Sequence, residues 1–293
     1  MIIFGTWVDD SAKMVTSADF WDRLVDAGYK TAALMLDTSY SDWDPRYSIA
    51  QLKTISKLAV VDRDVELVGT FWPAPHPQIL QDMYEGLDRC LGEMGAAGVE
   101  PDIEGLMRAR VAKEMGWNIR DAKLRLVEIL WELKDKYDLR VEVTTHPSHP
   151  EAQEGAIVSS DDVVDRNVWQ LYSSRHDWHG ELVSWNGRYG PYGRQVDTKR
   201  LAELSTKWGK KYSFGQAAWD QKWPGHTVEE AMTIPHEGYM AYHPEEIRDW
   251  ASGRPIGRFR NDAFNPQILE ARKKLILAYS TECNFRNNTR GSI

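Results

Sequence analysis

Asp102 and Glu104 place two carboxylates two residues apart within Gly98-Val99-Glu100-Pro101-Asp102-Ile103-Glu104. If this run is a β-strand, its side chains alternate between faces. Val99 and Ile103 then share an apolar face. Glu100, Asp102 and Glu104 share the opposite one. Carboxylates crowded together raise one another's pKa, and burial raises them further. One such group can keep its proton and act as an acid while its neighbour stays ionised. Glycoside hydrolysis needs that division of labour: an acid for the leaving oxygen, and a nucleophile, a base or a group that orients one.

The elements that must position this run are read from the alternation of short β-like segments with helical periodicity, the pattern of a parallel α/β fold. Strands are expected at 2–8, 31–36, 65–72, 98–104, 139–145, 167–172, 212–219 and, more weakly, 239–242. Helices are expected from a Ser17 cap to Ala27, then at 49–61, 79–94, 119–136, 198–207, 228–232 and 266–280. Eight β units about 30 residues apart predict a single (β/α)8 TIM-type barrel over residues 1–293, with 280–293 as a tail and long loops at the C-terminal face of the strands. No Ser/Gly run or block of like charge marks a second domain.

In such a barrel the polar face of each strand meets the axis, and chemistry gathers at the C-terminal strand ends. On 139–145 the outward residues are Val141 and Val143. Glu142, Thr144 and His146 point inward. Asp9 closes the first strand, Asp37 the second and Trp72 the third. Gln170 and Tyr172 alternate with Trp169 and Leu171, and Gln216 and Asp220 share a parity, with Trp219 beside them. Asp9, Asp10 and Asp37 are each accounted for first as caps of a following helix; Asp9 is also the third catalytic candidate after Glu104 and Asp102. Glu100 is read either as a substrate contact or as a buried structural carboxylate paired with Arg140.

The chain is rich in aromatic residues, with 13 Trp, and many of them sit beside Asp, Gly, Pro or His. Trp43 lies in Ser41-Asp42-Trp43-Asp44-Pro45, Trp178 in His176-Asp177-Trp178-His179, and Trp223 in Lys222-Trp223-Pro224. Trp in polar loops can stack on the flat faces of sugar rings, or it can pack a loop over the barrel mouth. The loop 173–195, with Trp178 and Trp185, and the loop 220–227 are expected to wall the cleft. The substrate-binding set is therefore Glu100, Trp72, His146, Gln170, Tyr172, Trp178, Trp185, Gln216, Trp219 and Asp220.

The formal net charge of −8 disfavours nucleic acid as the main partner. No apolar stretch approaches the roughly 20 residues of a membrane helix, so no membrane partner is expected. No Gly-x-Gly-x-x-Gly follows a strand, so nucleotide binding has no support. Cys90 and Cys283 are far apart in sequence and are expected as free thiols. No basic segment precedes the apolar run of the first residues, so synthesis in the cytoplasm without a signal peptide is expected, with action on the cell wall after release. No cofactor and no metal are expected.

The 98–104 run resembles the fourth-strand motif of family 18 glycoside hydrolases, the chitinase-like barrels, which reads Gly-x-Asp-x-Asp-x-Glu. Glu100 stands where that family has Asp. The resemblance implies Glu104 as general acid and Asp102 as the group orienting the substrate's acetamido nucleophile. A second resemblance is to family 25 lysozymes, on Asp9 or Asp10 before Ser11, on Asp102-Ile103-Glu104, and on Trp169-Gln170-Leu171-Tyr172. Both imply a polysaccharide containing N-acetylglucosamine, with peptidoglycan first and chitin-like oligosaccharide second. Two other readings stand beside this one. A metal-dependent sugar isomerase or hydrolase would draw Glu104, His146, Glu66 and Glu142 around Mg²⁺ or Mn²⁺. A non-catalytic glycan-binding barrel would keep the Trp platform without the chemistry.

Overall fold

A computed structural model describes residues 3–8, 12–26, 29–37, 43–74, 76–103, 118–145, 155–170, 198–217 and 238–243. Eight parallel strands close into a barrel in sequence order. They are β1 (Ile3–Val8), β2 (Thr31–Met35), β3 (Glu66–Phe71), β4 (Gly98–Pro101), β5 (Arg140–Thr145), β6 (Arg166–Gln170), β7 (Lys211–Ala217) and β8 (Gly238–His243). β8 closes the ring on β1, with Gly238 opposite Ile3 and His243 opposite Val8. The expected barrel is thus observed, and the eighth, weakest strand is a full member of it.

The described helices are α1 (Ala12–Val15), α2 (Ala18–Asp26), α3 (Ile49–Ser56), α4 (Pro77–Met94), α5 (Ile119–Tyr137), α6 (Gly155–Ser159) and α7 (Thr198–Lys207). α3 runs on as a π-helical turn over Lys57–Val61. Local chemistry fixes their ends. Ser48 and Gln51 form a capping box at the start of α3. α4 starts behind His76 with Pro77 in its first turn and ends at Gly95, whose φ of 61° suits a residue without Cβ. Asn118 caps α5 through its side-chain oxygen. The expected helices at 228–232 and 266–280 lie outside the described residues.

The core is the layer between sheet and helices. α4 contributes Leu80, Met83, Leu87 and Leu91, and α5 contributes Leu126, Ile129, Leu130 and Leu133, at three- and four-residue spacing. Against them stand the outward residues Leu34, Leu36, Leu67, Phe71, Val99, Ile103, Val141 and Val143. Each such large side chain, fully buried, contributes about 1.5–3 kcal/mol. Trp169 also faces outward: its indole donates to Ser205 Oγ on α7 at 3.1 Å, and its ring lies 6.4 Å from that of Trp208. Trp43, grouped by sequence with the loop tryptophans, packs against this core instead and fills the place where a Cβ on Gly86 of α4 would stand.

The alternate residues meet the axis. Ala33, Val68 and Val168 are buried but stand apart from the helix-side cluster. A Cβ at Gly98 would lie 2.8 Å from the Arg140 carbonyl oxygen, so the close approach of β4 to β5 requires glycine there. At the N-terminal end, Glu142 is 1% exposed and sits between two guanidinium groups, Arg140 Nε at 2.5 Å and Arg166 Nη1 at 3.1 Å. Arg140 also reaches Glu66 at 3.1 Å. The expected pairing of Arg140 with Glu100 is therefore corrected. Arg140 and Glu142 are two residues apart on one strand and share a face, so they meet one another first. Glu66 Oε2 and Glu142 Oε1, expected among the ligands of a metal-dependent site, instead face arginines at the N-terminal end of the barrel.

Candidate active site

β4 ends with Pro101, and Asp102 continues the sheet by a single bridge to Thr144 of β5. Its amide donates to the Phe71 carbonyl at 2.8 Å, and the next amide, Ile103, donates to the Thr144 carbonyl at 3.1 Å. These bonds hold residue 102 in strand register with its side chain on the axis face, between β3 and β5. Pro101 removes one donor from the run, as a residue ending a strand can afford to do.

One side-chain donor to Asp102 comes from the end of β3. Trp72, immediately after β3 and half-buried, donates its indole Nε1–H to Asp102 Oδ2 at 3.3 Å. One layer deeper, Glu100 is fully buried and takes a short hydrogen bond from the Thr144 hydroxyl. Thr70 donates its hydroxyl to the Glu100 carbonyl at 2.8 Å. The strands β3, β4 and β5 thus bring Trp72, Asp102, Glu100 and Thr144 together, as the alternation predicted. Because Glu100 has no exposed surface, a ligand entering the mouth meets Asp102 and Trp72 before it.

Asp37 joins them, and the sequence reading misplaced it. It was expected to cap a helix, but among the described residues the next helix after it does not use it. α3 starts at Ile49 with its own cap at Ser48. Asp37 instead makes a single antiparallel bridge to Pro45, and its carboxyl is 0% exposed. Oδ2 accepts the Trp72 backbone N–H at 3.3 Å, while Oδ1 has no hydrogen-bond partner among the described residues. Burial pushes this carboxyl up to about 8; the Trp72 N–H and the Arg46 charge pull the other way, and the Asp102 charge adds to the rise. Asp37 therefore keeps its proton at neutral pH. The capping box at residues 48–51 was the legible sign that α3 had a cap other than Asp37.

Several expected site residues cannot be placed against this geometry. Glu104, Asp9, Asp10, His146, Tyr172, Trp178, Trp185, Trp219 and Asp220 lie outside the described residues, as do the loops 173–195 and 220–227. The backbone of Gln170 ends β6 opposite Gly215, and that of Gln216 in β7 lies opposite Ala241. Among the described residues no group of three His, Cys, Asp or Glu is arranged to hold a metal ion, and no helix is long and apolar enough to cross a membrane. Cys90 is buried in the α4 layer, and burial pushes its thiol up to about 11.

Chemically, the mouth offers a carboxylate oriented by an indole, a second carboxyl that holds its proton, and a third beneath them. A developing positive charge, or a proton in transfer, is what such a set can stabilise.

Comparison with known proteins places the fold. No family model matches the chain, and no curated protein matches it. Solved structures do. A thermostable chitinase domain from Pyrococcus furiosus, solved as catalytic-site mutants with chito-oligosaccharides, superposes with a TM-score of 0.55 at 13% identity, covering 95% of each chain. A GH113 β-mannanase from Alicyclobacillus acidocaldarius gives 0.54 at 11%, covering 94% of this chain and 97% of the mannanase. A putative xylose isomerase from Rhodospirillum rubrum gives 0.56 at 14%, covering 94% and 99%. The chain has the fold of TIM-barrel glycoside hydrolases, a fold shared with an isomerase. Since that plan hosts many chemistries, function must be argued from the site.

Proposed function

We propose that this barrel is a glycoside hydrolase that cleaves N-acetylglucosamine-containing polysaccharide, with peptidoglycan as its first substrate, in the manner of a lysozyme or endolysin. Glu104 is the general acid, Asp102 orients the reacting group, and Asp9 assists from β1. The observation that carries the reading is the placement of Asp102. It stands on the axis face at the C-terminal end of β4, its carboxylate held by the Trp72 indole at 3.3 Å, two residues before Glu104. Barrel enzymes set their reacting groups at that end of the strands. A pair of carboxyl groups is the equipment that glycosidic cleavage requires. Tryptophan-bearing loops at 173–195 and 220–227 supply sugar subsites. Action on the cell wall follows release from the cytoplasm.

The test is reducing-sugar release from purified peptidoglycan and from chitin oligosaccharides, the class bound by the Pyrococcus chitinase, in EDTA throughout. The expected outcome is release by the wild type and none by Glu104→Gln. Release that needs added Mn²⁺ would replace this reading with a metal-dependent one. Glycan binding without cleavage, unchanged in Glu104→Gln, would make the barrel a binder.

A further inference from the structure

We infer that Asp37 is a positioning residue of this site: its buried carboxyl fixes Trp72 and, through the Trp72 indole, governs the orientation of the Asp102 carboxylate. The kinetic part of this inference rests on the glycosidase reading; the structural part does not.

The chain of contacts is short. Asp37 Oδ2 accepts the Trp72 backbone N–H at 3.3 Å, and the same residue's indole Nε1–H donates to Asp102 Oδ2 at 3.3 Å. Both ends of Trp72 are thereby tied to carboxyls on the neighbouring strands. Asp37 is itself held from behind. The Leu36 amide donates to the Thr70 carbonyl at 2.8 Å, the Arg46 amide to the Leu36 carbonyl at 2.9 Å, and Arg46 Nε to the Asp37 carbonyl at 3.4 Å. A rigidly backed group of this kind transmits its state to what it touches.

Tethering one backbone N–H does not need a carboxyl; a serine hydroxyl or an asparagine oxygen would serve. A carboxyl with Oδ1 fully buried and without a hydrogen-bond partner among the described residues costs stability. What it adds is a charge that can be switched on beside Asp102. Among the described residues, the charged groups that bear on Asp37 are Arg46 and Asp102. When Asp37 ionises, its charge repels the Asp102 carboxylate at the other end of Trp72 and disturbs the arrangement that the indole holds. The burial that raises Asp37 to about 8 places this change just above neutrality.

The experiment follows the Trp72 indole N–H by NMR on tryptophan-labelled protein, assigned with Trp72→Phe, between about pH 6 and 10. In the wild type the signal is expected to titrate with a midpoint near 8, and in Asp37→Asn it should not. If Asp37→Asn does not fold, Asp37→Ser replaces it with the same expectation. A wild-type signal that does not titrate near 8, or the same titration in the variant, overturns the inference. Turnover provides the second readout. The ratio of kcat for Asp37→Asn to that of the wild type should be flat below about pH 7 and rise up to tenfold per pH unit above about 8. A ratio that is constant with pH means a merely structural role and also overturns it. If the wild type cleaves no glycan, the glycosidase reading falls, and the indole titration still decides whether Asp37 governs Trp72.

Discussion

Replacing Asp37 by Asn should change how stability depends on pH, by an amount that follows from where Asp37 sits. Its carboxyl is raised from 3.8 to about 8 in the folded chain, chiefly by burial. Between those two values the folded state holds a proton that the unfolded state has released. The sign is therefore negative: stability falls as pH rises from about 4 to about 8, by about 1.4 kcal/mol per pH unit. Over the whole window the loss is on the order of 5 kcal/mol, comparable with the net stability of many domains. Asparagine has nothing to release, so this contribution vanishes in the variant. An Asn amide left short of partners would itself cost about 1–3 kcal/mol, but that offset does not vary with pH. The assay is urea unfolding of both proteins at pH 5, 6 and 7. The difference in unfolding free energy should move in favour of Asp37→Asn by about 3 kcal/mol across those two pH units. Contributions from other groups recur in both proteins and cancel, apart from the share that Asp102 takes through its coupling to Asp37. Parallel curves would refute the reasoning, because they would mean that Asp37 is already ionised in the folded state.

Glu142→Ala should destabilise the chain by about 3–5 kcal/mol in urea unfolding, since it leaves Arg140 and Arg166 facing one another at the axis without their shared carboxylate. Trp72→Phe keeps most of the packing and removes the indole donor to Asp102, a hydrogen bond to a charged group worth about 1.5–3 kcal/mol. If that bond matters in the transition state, kcat on glycan should fall about tenfold or more while the melting temperature moves by only a few degrees. In a Cys283→Ser background, Cys90 should resist a thiol reagent in the folded protein and react fully in urea, because it is buried and its thiol is pushed up to about 11.

Periodicity carried most of the fold. Each of the eight expected strands overlaps the observed one, because a barrel strand advertises itself by apolar residues on the helix side and by a following helix. Val99, Ile103, Val141 and Val143 all lie in the helix-side core, as their alternation required. The five-residue helix α6 was not legible; it is too short to show a period. Alternation gives a face but neither depth nor partner. It put Glu100 and Glu142 on the axis alike, and could not say that Arg140 would choose Glu142 over Glu100. Asp37 was misread because a lone acidic residue at a strand end looks like a cap, although Ser48 and Gln51 already formed one for the next helix. Of the two readings for a tryptophan among polar residues, Trp43 takes the packing one, and the sign for it was Gly86, a glycine in the middle of a helix that otherwise favours larger residues.

The interior of the barrel surrounds its carboxylates with different partners. At the N-terminal end Glu142 lies between Arg140 and Arg166. On the adjacent strand Glu100 takes a hydrogen bond from the Thr144 hydroxyl, and just beyond the end of β4 Asp102 takes one from an indole. A hydroxyl or an indole orients a carboxylate without adding a full positive charge, so its protonation remains open to burial and to neighbouring charges. Asp37 shows the result, with burial outweighing the pull of Arg46 and holding the proton on to about 8. The strands β4 and β5 carry both kinds of site a few residues apart. Guanidinium groups flank Glu142, while a hydroxyl donates to Glu100 and an indole to Asp102.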